Sequence, residues 1–319
     1  MAILITGAAG FIGAHVVAAL RNSGCDIVAT DILPRSDAVR LSNFLDEGLC
    51  YVPGDLFEIL PGVMDGVHQV WHFAANADIP LGAHNTSIDV RESILLTHRL
   101  LESMRHSHVR SLIFPSTSGV YGRNSGLARA EHVGPFLPAS LHAAGKLAAE
   151  GLISAYCSTF GLQGCIFRLG NVVGGMMGRG IIYDFICKLS KNPEQLPVMG
   201  NGRQRKSFVL VDDAIEGMRQ IGENSRNDGP YCDIFNIAAG GSVSVVDVAG
   251  IVSRAMGLRT PELAIEGTSI AWPGDQPVIE LDIGKALASG WAPRYSATEA
   301  VRVAANRMVA DLGISVAPQ

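Results

Sequence analysis

Three glycines near the start of the chain have the spacing that a dinucleotide pyrophosphate requires. Gly7, Gly10 and Gly13 form a G-x-x-G-x-x-G pattern between an apolar run and an amphipathic stretch. In this setting the first glycine permits a tight turn, the second lets the backbone approach a pyrophosphate, and the third lets the helix pack on the strand. Phe11 and Ile12 open the helix, and phosphates bind at helix N-termini. We therefore predict that these five residues bind a dinucleotide.

A carboxylate about twenty residues further on indicates which dinucleotide binds. Asp31 ends the second predicted strand, where a carboxylate accepts hydrogen bonds from the hydroxyl groups of the adenosine ribose. The same charge repels a ribose phosphate, which favours NAD over NADP. Arg35 lies close enough to soften this preference, because arginine binds phosphate; the alternative is an exposed loop arginine.

In these residues the chain resembles the extended short-chain dehydrogenases, which include the nucleotide-sugar epimerases and dehydratases. The resemblance covers almost the whole length. It implies that Asp55 and Leu56, after the third strand, contact the adenine. It also implies that Ala74 and Ala75, in the segment His-Phe-Ala-Ala after the fourth strand, line the cofactor.

The resemblance also implies a catalytic group, with one departure. Thr117 stands four residues before Tyr121 and resembles the family hydroxyl that hydrogen-bonds the reacting sugar oxygen. Where the family has Tyr-x-x-x-Lys, this chain has His142 and Lys146. Residues four apart share one face of a helix, so the base and the lysine keep their relative placement. Lys146 is expected to reach the nicotinamide ribose.

The change from tyrosine to histidine alters the acid–base chemistry. A free phenol has a pKa of about 10 and needs a nearby cation to become a base, whereas a free imidazole has a pKa of about 6.5. The Lys146 cation lowers the pKa of His142 further, so its neutral form is a ready base. The same cation opposes the imidazolium that must return the proton, and imidazole is shorter than phenol. We expect sugar oxidation to be favoured over reduction, in a slow or altered enzyme.

Three interpretations of the missing tyrosine remain open. His142 serves as acid and base, another residue such as Tyr121 replaces it, or catalysis is lost while the cofactor is kept. The first is favoured because Lys146, Thr117 and a complete glycine loop accompany His142.

The second half of the chain contains the expected substrate residues. Asn171 resembles the family asparagine that contacts the sugar or its phosphate. Arg203, Arg205 and Lys206 place three cations within four residues, which suits an anionic nucleotide diphosphate; the alternative is a solvated basic loop. Lys206 stands where many relatives have arginine, and Pro277 where many have a second phosphate-binding arginine.

The spacing of apolar residues predicts the elements that position these groups. Short apolar runs alternate with amphipathic stretches as far as Arg168, which is typical of βαβ units around a parallel sheet. We predict a Rossmann-type, doubly wound α/β domain over residues 1–170 and a smaller α/β substrate lobe over residues 171–319, partly interleaved. The predicted strands are Ile3–Thr6, Asp26–Thr30, Leu49–Val52, Gln69–Phe73, Ser111–Phe114 and Gln163–Phe167. The predicted helices are Phe11–Asn22, Ser87–His106, Ala139–Phe160, Val243–Met256 and Thr298–Leu312.

Composition narrows the partners. The 319 residues are 48% hydrophobic and carry a net charge of −5 with no basic stripe, which argues against nucleic acid. Six cysteines without paired short spacings indicate neither a zinc site nor a disulfide framework, and we expect no bound metal. No apolar run is long enough to span a bilayer, and no signal peptide is recognised. We expect a cytoplasmic homodimer, because many members of the family it resembles dimerise through two helices of the sheet domain and the apolar face of Ser87–His106 permits this.

Together these features predict an NAD-dependent nucleotide-sugar epimerase. The resemblance implies that a sugar hydroxyl is oxidised transiently and that the hydride returns to the other face. Dehydration is disfavoured because Ser118 and Gly119 stand where dehydratases have Asp-Glu. A one-way sugar dehydrogenase is the alternative among enzymes, and a catalytically silent NAD-binding protein is the alternative from another class. The sequence identifies neither the sugar nor the base.

Overall fold

The computed structural model describes residues 2–21, 24–123, 128–225, 229, 231–272 and 274–314. The strands are β1 (Ala2–Thr6), β2 (Asp26–Asp31), β3 (Cys50–Pro53), β4 (Val67–His72), β5 (Ser111–Thr117), β6 (Gln163–Leu169), β7 (Asn171–Val173), β8 (Gln195–Met199), β9 (Arg205–Lys206), β10 (Phe208–Leu210), β11 (Tyr231–Ile237), β12 (Val243–Ser244) and β13 (Glu262–Glu266).

The α-helices are α1 (Phe11–Leu20), α2 (Ser42–Asp46), α3 (Leu56–Val63), α4 (Ile79–His84), α5 (Thr86–Asp89), α6 (Leu96–Arg105), α7 (Leu141–Phe160), α8 (Ile181–Lys191), α9 (Val211–Asn224), α10 (Val245–Ala255), α11 (Gly284–Ala288) and α12 (Ala297–Asp311). A π-helix, Val90–Leu95, joins α5 to α6, and short 3₁₀ segments cover Arg35–Asp37, Val39–Leu41 and Ser118–Tyr121.

A seven-stranded sheet has the order β11-β6-β5-β4-β1-β2-β3. The pairs β1–β2, β1–β4, β2–β3 and β4–β5 are parallel. The strand order reverses between β1 and β4, and in such sheets ligands bind outside the carboxyl ends of the strands at this reversal. The predicted Rossmann-type α/β fold is confirmed. The six strands predicted in the first half all belong to this sheet, and the seventh, β11, comes from the second half.

The chain forms two compact units. The first consists of residues 1–120, 140–168 and 218–235, and the second of residues 121–139, 169–217 and 236–319. Each unit therefore combines three segments. These units differ from a single division between residues 170 and 171 at residues 121–139, 169–170 and 218–235.

Each unit has its own apolar core. In the first, Leu4, Val70 and Leu112 of the sheet pack with Leu100 of α6 and Ile153 of α7. These strand residues are fully or almost fully buried, and burial of apolar area is the main stabilising contribution to such a sheet. In the second unit, helices α8, α10 and α12 pack around β10, and the remaining strands form the pairs β7–β10, β9–β12 and β8–β13.

Two predicted helices differ from the structure. The predicted Ser87–His106 helix is interrupted by the π-helix, so it runs as α5, π-helix and α6. The helix predicted as Phe11–Asn22 ends at Leu20, and Asn22 lies outside the described residues. Other boundaries shift by a few residues, because helix ends depend on capping contacts more than on periodicity.

Candidate active site

The glycine loop follows β1 and is shaped by contacts that exclude side chains. Gly7 has φ +66°, and a Cβ there would lie 2.6 Å from the backbone nitrogen of Ala74. A Cβ on Gly13 would lie 2.1 Å from the carbonyl oxygen of Gly7, so α1 packs directly on the turn. Gly10 is exposed and gives α1 no side-chain cap. The first N–H groups of a helix lack partners within the helix, so the start of α1 suits a phosphate.

The Asp31 carboxylate is held beside this loop. Its Oδ2 accepts a hydrogen bond from Ala9 N at 2.9 Å, and its Oδ1 accepts one from Leu33 N at 3.2 Å. Arg35 donates to the carbonyl oxygen of Leu45 at 2.9 Å. A carboxylate is therefore held in place beside the glycine loop. The nearby Arg35 is bonded to the backbone of α2.

A buried histidine, the first residue of the His-Phe-Ala-Ala segment, links the ends of β1 and β4. The Oγ1 of Thr6 accepts a hydrogen bond from Ala74 N at 3.2 Å and lies 2.8 Å from Nδ1 of His72. Burial, with a smaller effect of the Lys146 charge, lowers the pKa of His72 to about 3. The imidazole is therefore neutral, and these contacts hold Ala74 next to Gly7.

The carboxylate of Asp55 has a structural role in addition to its predicted adenine contact. It caps α3 by accepting a hydrogen bond from Phe57 N at 3.0 Å, and it pairs with Arg91. Burial raises the pKa of Asp55, but the Phe57 and Arg91 hydrogen bonds outweigh this and hold it below its usual value. Leu56 is buried in the core, so the adenine contacts of both residues stay predictions.

Thr117 ends β5 and is half-buried. Its Oγ1 accepts a hydrogen bond from Gly119 N at 3.1 Å, which leaves the hydroxyl hydrogen able to donate to a substrate oxygen. A Cβ on Gly119 would lie 2.8 Å from the Cβ of Ala143 in α7. The glycine thus lets the helix that contains His142 and Lys146 approach the end of β5.

Helix α7 places His142 and Lys146 one turn apart. Ser140 caps the helix by accepting a hydrogen bond from Ala143 N, and Gly161 ends it with φ +73°. Lys146 is 6% exposed. Its ammonium donates to the carbonyl oxygen of Pro115 at 2.9 Å and lies over the Phe114 ring at 4.5 Å.

Burial lowers the pKa of Lys146 to about 8, against an opposing effect of Glu150. A cation that loses its proton near pH 8 is still mostly charged at neutral pH. The carbonyl of Pro115 fixes this charge at the end of β5, two residues before Thr117.

His142 is half-buried, and its Nδ1 lies 3.0 Å from the carbonyl oxygen of Asn76. Burial, and then the Lys146 charge, lower the pKa of His142 to about 4, against opposing effects of Asp89 and the Asn76 hydrogen bond. The ring is therefore neutral at pH 7. A carbonyl only accepts, so Nδ1 carries the hydrogen and Nε2 carries the lone pair of a potential base.

A buried ion pair beneath these groups was also missed from the sequence. Arg168 and Glu150 are 2% and 4% exposed, and Nη2 lies 2.7 Å from Oε2. Ser116 donates its hydroxyl to the same carboxylate. Ser116 is thereby engaged in the interior, which leaves Thr117 as the better candidate of the two for substrate contact. Glu150 follows Lys146 by four residues, and this spacing was the available signal.

The expected substrate residues all belong to the second unit, and they differ in accessibility. Asn171 lies in β7, with its backbone nitrogen bonded to Ser207. Arg205 donates to the hydroxyl and the carbonyl of Ser242 at 3.0 and 2.6 Å. The side chain of Arg203 is exposed, as an anion contact requires.

Lys206 departs from the expectation. Its ammonium is buried, pairs with Asp275 at 2.8 Å and donates to the carbonyl of Gln276. Burial lowers the pKa of Lys206, against the opposing charge and hydrogen bond of Asp275. This geometry gives Lys206 an internal partner in place of a surface phosphate. Of the three expected substrate cations, Arg203 and Arg205 are exposed.

Tyr121, the candidate substitute for the missing tyrosine, is 5% exposed. Its hydroxyl donates to Oδ1 of Asn236 at 2.8 Å. The phenol is thus part of an interior hydrogen-bond network of the second unit. The geometry disfavours Tyr121 as the acid or base.

Among the described residues, no group of three or more His, Cys, Asp or Glu side chains could hold a metal ion. In the same part of the chain, no helix combines the length and the hydrophobicity needed to cross a membrane.

The chain is similar to known proteins over most of its length. The model of the NAD-dependent epimerase/dehydratase family matches residues 3–238. A crystal structure of a UDP-galactose 4-epimerase is 32% identical, with a TM-score of 0.83 over 98% of this chain and 100% of that one. UDP-glucuronic acid 4-epimerase from Bacillus cereus, solved with UDP-glucuronic acid and NAD, is 26% identical, with a TM-score of 0.85 over 96% and 98%. UDP-glucuronate 4-epimerase 4 of Arabidopsis thaliana is 26% identical over 89% of this chain and 69% of its own.

Proposed function

This chain belongs to the NAD-dependent epimerase/dehydratase family, and we propose that it is a 4-epimerase of a UDP-sugar in which His142 replaces the usual tyrosine. The similarity to several UDP-sugar 4-epimerases over nearly the full chain supports the reaction class. The observation that carries the proposal is that three groups lie in the same unit as the glycine loop: Thr117 at the end of β5, Lys146 bonded to Pro115 of β5, and a neutral His142 bonded to Asn76 after β4.

The residues present fit NAD. The exposed backbone at Gly10 and the uncapped start of α1 suit the pyrophosphate, and the carboxylate of Asp31 suits the adenosine ribose. NAD, when bound, supplies reversible hydride acceptance. The Asp31 charge and the engaged Arg35 favour NAD over NADP. We expect Asp31→Asn to reduce the preference for NAD over NADP about tenfold. The preference is the ratio of the dissociation constants of NADP and NAD, both measured by calorimetry.

The side chains divide the acid–base work. Thr117 holds the reacting sugar hydroxyl through its own hydroxyl hydrogen. Nε2 of His142 takes the proton of that sugar hydroxyl during oxidation and gives it back during reduction. Lys146 keeps a positive charge near the developing oxyanion and orients the nicotinamide ribose. Arg203 and Arg205 are proposed to bind the diphosphate of the substrate, and Asn171 the sugar or its phosphate.

The low pKa of His142 makes a one-way UDP-sugar dehydrogenase a second candidate. The pKa of His142, about 4, opposes the imidazolium that must return the proton. If the imidazolium loses its proton to solvent faster than it returns it, the oxidised sugar accumulates.

Incubation with a panel of UDP-sugars tests these candidates. We expect a UDP-sugar to convert to its 4-epimer, followed by NMR, without net formation of NADH, followed by absorbance. A keto-sugar formed with one equivalent of NADH would instead identify a dehydrogenase. Tight NAD binding without any product, together with higher activity in His142→Tyr, would identify a catalytically silent protein.

We also propose that the protein is a cytoplasmic homodimer. The six cysteines, all among the described residues, form no disulfide bond, which suits a reducing compartment. Val90 and Leu95, on the segment that joins α5 to α6, are 45% and 50% exposed and offer an apolar surface to a second copy. Light scattering after gel filtration is expected to give the mass of two chains, and a Leu95→Lys variant to give one.

A further inference from the structure

Asp89 is a buried carboxylate close to the proposed base. It ends α5, immediately before the π-helix, and is 1% exposed. Burial of a carboxylate is unfavourable unless partners compensate for the lost hydration. A carboxylate in this position therefore needs either hydrogen-bond partners that replace its lost hydration or a function that explains its burial.

The contacts of Asp89 lead to His142. Its Oδ1 accepts a hydrogen bond from Nδ2 of Asn76 at 3.1 Å and lies 4.0 Å from Nδ1 of His142. Its Oδ2 has no hydrogen-bond partner among the described residues. A Cβ on Gly82 would lie 2.1 Å from this oxygen, so the neighbouring helix α4 closes over the carboxylate. The Asp89 carboxylate thus accepts fewer hydrogen bonds than a buried carboxylate with a purely structural role would need.

Asn76 connects the two residues. Its side-chain amide donates to Asp89, while its backbone carbonyl accepts the Nδ1 hydrogen of His142. Asn76 also fixes its own loop, because its Oδ1 accepts from Asp78 N at 2.9 Å and its Nδ2 donates to the Asp78 carbonyl at 3.0 Å. The carbonyl that selects the tautomer of His142 is therefore anchored by Asp89.

We propose that Asp89 is the positioning residue of the proposed base: through Asn76 it holds His142 in the tautomer with a free Nε2, and its charge stabilises the imidazolium. The inference rests on the proposed function. During oxidation the O–H bond of the sugar hydroxyl breaks and an Nε2–H bond forms, so the ring gains one positive charge; the hydride from the same sugar carbon would pass to bound NAD. The negative charge 4.0 Å from Nδ1 offsets that gain.

The charges around His142 oppose one another. Lys146, from the same helix, destabilises the imidazolium, while Asp89, from α5, and the Asn76 carbonyl, from the loop after β4, stabilise it. Glu150 and His72 face Lys146. Without Asp89, the imidazolium of His142 would lose the main charge that offsets its repulsion by Lys146.

NMR of histidine-labelled protein tests the inference without any need for turnover. In the wild-type protein, nitrogen shifts are expected to show His142 with its hydrogen on Nδ1. In a Lys146→Met background, which removes the cation and so one of the two causes that lower the pKa of His142, Asp89→Asn is expected to lower that pKa by about one unit. Glu92→Gln removes a charge from the adjacent π-helix and is the matched control, with no shift expected.

Kinetics in the Lys146-containing protein provide a second measurement. Asp89→Asn is expected to lower kcat about tenfold, as one pKa unit implies, with KM for the UDP-sugar unchanged. A wild-type His142 with its hydrogen on Nε2, or the same His142 pKa with and without Asp89, would overturn the inference. If the wild-type protein turns over no UDP-sugar while the NMR results hold, the proposed function fails and the positioning role remains.

Discussion

The carbonyl oxygen of Asn76 lies 3.0 Å from Nδ1 of His142. A carbonyl has no hydrogen to donate, so this contact determines which ring nitrogen is protonated in the neutral imidazole. The tyrosine of related enzymes has only one oxygen, and its orientation raises no such question. A histidine at this position works as a base only if the other nitrogen faces the substrate, and the Asn76 contact leaves that nitrogen free.

We expect His142→Ala to lower kcat by about 100-fold or more, because general base catalysis contributes on this scale. The variant should bind NAD with unchanged affinity, measured by calorimetry, because no part of the glycine loop is altered. Retention of the wild-type kcat would contradict the role of His142.

Lys146 is expected to produce an alkaline limb in the pH profile. Its pKa is lowered to about 8, so the cation is present below this pH and is lost as the pH rises through it. The kcat of the wild-type protein should therefore fall above pH 8. In Lys146→Arg the guanidinium keeps its proton, and the alkaline limb should disappear even if the maximal rate is lower. The same limb in both proteins would show that another group titrates.

Gly7→Ala is expected to destabilise the protein by about 3 kcal/mol and to abolish NAD binding. The change combines a left-handed backbone with a clash against Ala74, whose nitrogen would lie 2.6 Å from the new Cβ. Gly48→Ala is the matched control, because Gly48 has φ +88° with no atom within 4 Å of a Cβ. Its cost should be only about 1 kcal/mol. Equal unfolding free energies for the two variants in urea would contradict the clash.

The buried Lys206–Asp275 pair is expected to be structural. Lys206→Met leaves the Asp275 carboxylate buried without its partner, which costs about 3 kcal/mol in the free energy of unfolding. Addition of Asp275→Asn should recover most of that loss, because it removes the stranded charge. If this double variant also keeps the wild-type KM for the UDP-sugar, Lys206 does not bind the diphosphate. If the double variant is as stable as the wild type but its KM for the UDP-sugar rises strongly, Lys206 does bind the diphosphate.

His142 is also expected to make the protein sensitive to acid. Its pKa is about 6.5 in the unfolded chain and about 4 in the folded protein, so between these values the unfolded state binds more protons. The stabilising contribution is present above pH 6.5 and is lost as the pH falls towards 4. From pH 7 to 5 the loss is about 2 kcal/mol. In His142→Asn, urea titrations should show a correspondingly smaller loss over this range, the remainder coming from other groups such as His72.

The elements near the active site differ in how well local sequence predicts them. The strands from β1 to β6 were located within a few residues, because each is a short apolar run bounded by turn residues. Strand β11 was missed, because its place in the sheet depends on pairing with a strand far away in the chain. The π-helix within the predicted Ser87–His106 helix was missed as well, since periodicity does not report a single inserted residue.

The sequence by itself was enough to predict the glycine loop and the placement of His142 and Lys146 one turn apart on a helix. Glycine spacing and helical periodicity act over a few residues and need no distant contacts. Only the tertiary structure decided how these groups ionise. The carbonyl that selects the tautomer of His142 is 66 residues away in the chain, and the burial that lowers the pKa values of His142 and Lys146 exists only after the helix packs on the sheet.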